Sequence, residues 1–167
     1  FDLEITSSTE NAEIYYTVDG SLPAPDNPSA TLFTDAVGID QTTTLRAAAF
    51  KTNFEPSNVD TQTYVFLEDV FAQDPLNDPP QGLVYPTTWQ AGFAGDYTLD
   101  SRVVNQWDDN NPADPTDFGI REGLQSLPTI SLVMDHDDLW NASSGIYPNA
   151  TSQGSAWRRP GSIEYFD

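Results

Sequence analysis

The chain of 167 residues carries 26 carboxylates against one lysine and five arginines, a formal net charge of −20, with no cysteine and one histidine. That balance repels nucleic acid and anionic membranes. It leaves no disulfide or thiolate metal site and, with His136 alone, argues against a histidine-based zinc site or a Ser-His-Asp centre. No apolar run approaches the roughly 20 residues that span a bilayer, so insertion by a helix is not expected.

The first residues, Phe1-Asp2-Leu3-Glu4-Ile5, already alternate like a strand. Strand signals then recur at short spacing, over residues 3–6, 13–18, 36–39, 43–50 and 61–67. Turn chemistry separates them at Asp19-Gly20, at the proline-rich residues 23–28 and at residues 53–58. The pattern predicts a mainly β protein whose residues 1–67 form an immunoglobulin-like antiparallel β-sandwich. Ile14, Tyr16, Val18, Leu45, Ala47, Ala49, Tyr64 and Phe66 are its expected inward side chains. Tyr15 alternates away from Tyr16, which makes it the surface aromatic of this half.

One string in this half, Ile14-Tyr15-Tyr16-Thr17-Val18-Asp19-Gly20-Ser21-Leu22-Pro23, runs from strand into an Asp-Gly turn. With Ala30-Thr31-Leu32-Phe33-Thr34 and Thr43-Thr44-Leu45-Arg46-Ala47-Ala48-Ala49-Phe50, it resembles the β-sandwich modules related to the C-terminal domain of chitobiase and β-hexosaminidase. The resemblance implies the sandwich, and by analogy with glycosidase-linked members a carbohydrate-binding accessory role.

Residues 68–125 are rich in Pro, Asp, Asn and Gly, with apolar residues placed singly at Trp89, Phe93, Tyr97 and Trp107. A run this long without regular structure is expected to be a loop region, docked on the rest by its aromatics. Residues 100–104 and 119–125 each suit about one helical turn. The third segment, 126–167, begins with Leu127-Pro128-Thr129-Ile130-Ser131-Leu132-Val133-Met134, a continuous apolar run that reads as a buried strand. Asp135 then caps a short helix to Trp140, with Asp137 and Asp138 at its positive end. Residues 162–167 alternate again, so both ends read as cut from something longer.

The order Ala94-Gly95-Asp96-Tyr97-Thr98-Leu99-Asp100, then the 124–135 run, then Gly145-Ile146-Tyr147-Pro148-Asn149, then Trp157-Arg158-Arg159-Pro160-Gly161-Ser162-Ile163-Glu164 is similar to the opening segment of CotH-kinase-like domains. Those domains often follow a chitobiase-type sandwich in large bacterial surface proteins. Where such segments commonly read Trp-Glu-Arg-Pro, this chain has Trp157-Arg158-Arg159-Pro160. The resemblance implies an incomplete domain over 126–167, whose nucleotide-binding and catalytic parts would lie beyond Asp167. No enzyme activity is therefore expected of this chain.

Three sets of residues carry candidate chemistry. Asp108, Asp109, Asn110, Asp114 and Asp117 pack hard oxygen donors closely, as calcium coordination needs, without the spacing of an EF-hand; the plainer reading is a solvated acidic loop. Tyr15, Trp89 and Trp107 offer flat faces for a sugar ring, against the plainer reading of core aromatics. Asn141 and Asn149 open glycosylation sequons. Arg158 and Arg159 could clamp an anion, but pairing with neighbouring carboxylates is the simpler account at this net charge.

These readings lead to a non-catalytic structural or adhesive module of an exported bacterial surface protein, with calcium as its candidate cofactor. Its expected place is extracellular or on the cell surface, as a subunit of a fibre or layer. Its expected partners are copies of itself, paired at strand edges, or extracellular polysaccharide. The alternatives are a carbohydrate-binding accessory module and an inactive fragment of a CotH-like kinase.

Overall fold

The computed structural model describes residues 1–89, 92–100, 102 and 119–167. Strand β5 (Thr43–Phe50) organises the front of the molecule, lying between β2 (Glu13–Thr17) and β6 (Asp60–Tyr64), with β3 (Thr31–Leu32) on the far side of β2. All neighbours in this sheet are antiparallel. A smaller layer of β1 (Asp2–Leu3) and β4 (Val37–Gly38) faces it. The Phe1 ammonium donates to the Ile39 carbonyl at 3.0 Å, the Ile39 N–H returns a bond to Phe1, and the Phe1 ring meets Tyr64 edge-on at 5.4 Å.

Register explains which side chains fill this sandwich. Tyr16 opposes Ala47, Ile14 opposes Ala49, and Thr43 opposes Tyr64, so with period two these residues and Leu45 share one face. Ile39, Leu45 and Ala47 are its best-buried members. Val18 and Phe66, also expected inside, lie beyond the ends of their strands.

The opposite face of the same sheet is covered too. Thr17, Arg46, Ala48 and Thr61 are all buried there, although alternation alone would leave them facing water. Their cover comes from two places, the 20–21 turn, whose carbonyls accept from Thr17 and Arg46, and the last third of the chain. Strands β7 (Thr129–Val133) and β8 (Ser162–Phe166) pair as an antiparallel two-stranded sheet that lies against β6. The contact is polar: Thr61 and Ser162 share a hydroxyl hydrogen bond of 2.8 Å, and Thr63 donates its N–H and its hydroxyl to the two oxygens of Glu164. Because the Thr63 proton is spent on Glu164, Ser131 must be the donor in the 2.7 Å bond between their hydroxyls.

Gly20 and Arg46 complete this junction. Arg46 Nη1 donates to the Gly20 carbonyl at 2.7 Å. Burial pulls the guanidinium's pKa down, while the charges of Asp135 and Asp19 oppose that shift. Gly20 has φ +80°, and a β-carbon there would stand 2.7 Å from the Met134 carbonyl oxygen. Glycine is required twice over, by conformation and by space.

The Asp19-Gly20 pair does not close a two-residue hairpin; the chain runs on to β3 at Thr31. Asp19 Oδ1 instead accepts from the Ser21 N–H at 3.0 Å and the Ser21 hydroxyl at 2.6 Å, a side-chain-closed turn. Burial raises the Asp19 pKa, but the bonds from Ser21 and Ser29 outweigh it and hold the carboxyl below its ordinary value. Ionised Asp19 therefore favours the fold at every pH above the unfolded-state value, and this contribution vanishes as pH falls through the lower folded-state value. Urea midpoints are expected to drop more steeply below about pH 4 in the wild type than in Asp19→Asn. Equal slopes would contradict the assignment.

The predicted 61–67 strand stops at Tyr64, and helix α1 (Leu67–Ala72) follows. Its N-terminus has no side-chain cap of its own. Instead Thr42 holds it, exchanging hydrogen bonds with Phe66 and donating its N–H to Asp69. Helix α2 (Ile120–Gln125) leans on α1 through Arg121, which pairs with Glu68 at 2.5 Å and covers the Phe71 ring.

The run 127–134 departs from expectation. It forms a strand, but only Val133 is buried, while Ile130 and Leu132 are 62% and 64% exposed. A two-stranded sheet docked by one face leaves the other open. The short helix α3 (His136–Trp140) matches its prediction, with Asp135 accepting from the Asp137 N–H at 2.9 Å.

Candidate functional site

The loop region is held by its aromatics. The Trp89 N–H donates to the Phe93 carbonyl at 2.7 Å, Thr88 and Ala94 form a β-bridge, and the Gly95 N–H reaches Thr87 at 2.9 Å. Gly95 lets these pieces approach: a β-carbon there would fall 2.7 Å from the Pro86 carbonyl oxygen and 2.9 Å from the Tyr97 ring. The Tyr97 hydroxyl then closes the arch by donating to that same carbonyl, at 2.9 Å.

This arch meets α3 ring against ring. Tyr97 lies between Tyr85, Trp89 and Trp140 at centroid separations of 5.6, 5.6 and 6.0 Å, and Trp140 continues to Tyr147 at 4.6 Å. Edge-on geometry predominates, the arrangement that sets the positive rim of one ring against the negative face of another. Tyr85 also contacts His136 and Trp140. Burial, with a smaller contribution from Tyr97, raises the Tyr85 pKa. Trp89 Nε1 and His136 Nε2 are enclosed and have no hydrogen-bond partner among the described residues.

Two hollows flank the cluster. One, of about 710 Å³, lies between Gln41 and Thr42, α1 and the following 73–80 segment, and the rings of Tyr85 and Tyr97. Three of its four carboxylates accept hydrogen bonds, Asp69 from Thr42, Asp74 from Asn77 and Asp96 from Thr98, and Asp78 is the fourth. The other, of about 570 Å³, is lined by Trp89, Phe93, Ala94, Tyr147 and Ala150. Phe93 is 71% exposed at its rim. Such a shallow, aromatic-sided hollow can receive a flat apolar face, including that of a pyranose.

The expected site residues do not converge. Trp89 belongs to the aromatic cluster, whereas Tyr15 is half-buried on the sandwich and packs edge-on against Phe50 at 5.8 Å. Trp107 and the calcium candidates Asp108, Asp109, Asn110, Asp114 and Asp117 lie outside the described residues. Among the described residues, no group of three or more His, Cys, Asp or Glu is placed to hold a metal ion. Asn141 is exposed, while the Asn149 amide donates to the carbonyls of Ala142 and Gly145, bonds that a glycan on its nitrogen would displace. Arg159 pairs with Asp138 at 3.1 Å, the internal use expected of it. Tyr85, Phe93 and Tyr147 complete the cluster and the hollow; their signal was the density of aromatics in an otherwise polar segment.

No curated protein and no solved structure matches this chain significantly. Residues 3–64 match the model of the family described as Fn3 associated, a stretch that ends on the last residue of β6. Over that stretch the chain is similar to an accessory β module of the fibronectin- and immunoglobulin-like kind.

Proposed function

We propose that this chain is a non-catalytic structural and adhesive module of an exported bacterial surface protein, a subunit that assembles outside the cell. The observation that supports it most is the sheet used on both faces. One face closes a sandwich within the Fn3-associated stretch, and the other serves as a mount for the segment after Tyr64. In such a layout the sandwich positions and the appended segment makes contacts. The large negative charge suits a saline or calcium-rich exterior. The division into 1–67, 68–125 and 126–167, with the likeness of the last to the start of CotH-kinase-like domains, belongs to the same proposal.

Protease added to intact cells of the producing bacterium is expected to remove an epitope-tagged copy; protection until lysis would overturn the exported reading. Incubation with Mg-ATP and acceptor proteins is expected to give no phosphate transfer, and transfer by this chain would overturn the non-catalytic one. Calcium binding at the 108–117 loop is part of the proposal. Calorimetric titration should show a site abolished by Asp108→Asn with Asp109→Asn, and a flat wild-type trace would remove it.

A second reading, carbohydrate binding, is favoured by the hollow beside Trp89 and Phe93. Extracellular polysaccharide fragments would then quench tryptophan fluorescence in a saturable way that Phe93→Ala abolishes. Silence across chitin-like and marine oligosaccharides would leave the hollow a packing feature.

A further inference from the structure

The two-stranded β7–β8 sheet has two chemically different faces. Ser131, Val133, Ser162 and Glu164 face β6 and the sandwich, where their hydroxyls and carboxylate are engaged. On the other face Ile130 opposes Tyr165 and Leu132 opposes Ile163. All four are open to solvent, at 62%, 64%, 64% and 71% for Ile130, Tyr165, Leu132 and Ile163. Together they present on the order of 500 Å² of apolar surface, near the top of the roughly 300–600 Å² that the largest patch on a monomer reaches. Leu127, 63% exposed just ahead of β7, adds to it.

The strand edge compounds this exposure. A two-stranded sheet leaves each strand one unpaired edge, and β7, Thr-Ile-Ser-Leu-Val, has none of the charges or prolines that usually guard such an edge.

We propose that this face is a self-association surface, on which two copies of the chain stack β7–β8 sheet to β7–β8 sheet. The proposal deepens the assembling module described above by naming the contact, and it rests on that reading. Three observations favour a second copy over a different partner. The face consists of two cross-strand pairs of similar bulk, Ile130 with Tyr165 and Leu132 with Ile163, so a copy turned about a two-fold axis lying in the interface can set pair against pair. Stacked at the usual spacing of about 10 Å, the two sheets become the halves of a small sandwich. The patch with Leu127 supplies most of the roughly 800 Å² per partner of a standard interface. Finally, none of the four residues is charged in a chain of net charge −20, so this is where an equally acidic copy can approach once salt screens the rest.

Sedimentation equilibrium of the full chain, at concentrations of order 100 μM and in low and high salt, tests the proposal. A dimer whose share rises with salt is expected, the reverse of an ion-paired interface. Leu132→Asp with Ile163→Asp is expected to weaken dimerisation at least about tenfold. Leu132→Thr, which keeps strand preference, should weaken it measurably with an unchanged circular dichroism spectrum, guarding against a misfolded double variant. Val84→Asp, at an exposed apolar site elsewhere, should leave it intact. A monomer under all conditions would overturn both the surface and the assembling reading. A dimer indifferent to the face variants would overturn the surface alone. A longer chain that stays monomeric because residues after Asp167 cover the β7–β8 sheet would also overturn it.

Discussion

Replacing Gly20 with alanine is expected to destabilise the molecule by about 3 kcal/mol, as read from urea midpoints at neutral pH. Two costs add. The backbone at φ +80° disfavours any residue with a β-carbon, by roughly 1–2 kcal/mol. The new methyl would also stand 2.7 Å from the Met134 carbonyl oxygen, and backbone cannot rotate away as a side chain can. Relief requires the Asp19 turn or the end of β7 to move, and either motion pulls on the Arg46 bond to the Gly20 carbonyl. Proteolysis should therefore find the 126–167 segment more readily in the variant. A loss below about 0.5 kcal/mol, in the range of ordinary surface changes, would mean that the two halves are not docked in this way.

The second large effect is expected at Arg46, where two substitutions separate charge from packing. Arg46→Ala removes a buried stem and leaves the Gly20 carbonyl without its donor, a loss of about 3 kcal/mol. Arg46→Met loses the same donor but refills most of the volume and removes a cation whose buried Nε has no partner among the described residues, so it is expected to cost about 1–2 kcal/mol less than the alanine. The ordering follows from burial being the largest influence on this guanidinium, ahead of the opposing charges of Asp135 and Asp19. Equal losses in the two variants would show that electrostatic attraction, rather than filled space, holds the junction.

Local signals carried the parts of the fold that local physics decides. The eight residues of β5 were legible because a short run without Gly, Pro or Asn lies between turn signals on both sides, and the Asp135 cap was legible because a cap needs only its own next residues. Burial of Arg46 and Thr61 was not, since it depends on the Gly20 turn against Met134 and on Ser162 of β8, which lie far from β5 and β6 along the chain. The same distance explains Ile130 and Leu132. A continuous apolar run implies two covered faces, whereas this one has a single polar cover, in which the hydroxyls of Thr61 and Thr63 meet Ser162, Ser131 and Glu164. Helix α1 was missed because its N-terminus is secured by Thr42, some 25 residues earlier, rather than by a residue of its own. At the candidate site, Trp89 was visible as an aromatic, but its neighbours Tyr97, Trp140 and Tyr147 come from separate stretches that only folding unites.

A central strand enclosed from both sides leaves evolution little room. In most sheets with one wet face, every second residue of a strand can drift freely. Along 43–48, burial of Thr43, Leu45, Arg46, Ala47 and Ala48 removes that freedom. Drift is then expected to collect in the two-residue strands β1, β3 and β4. Natural variation should thus trace the buried spine of this molecule more sharply than its outline.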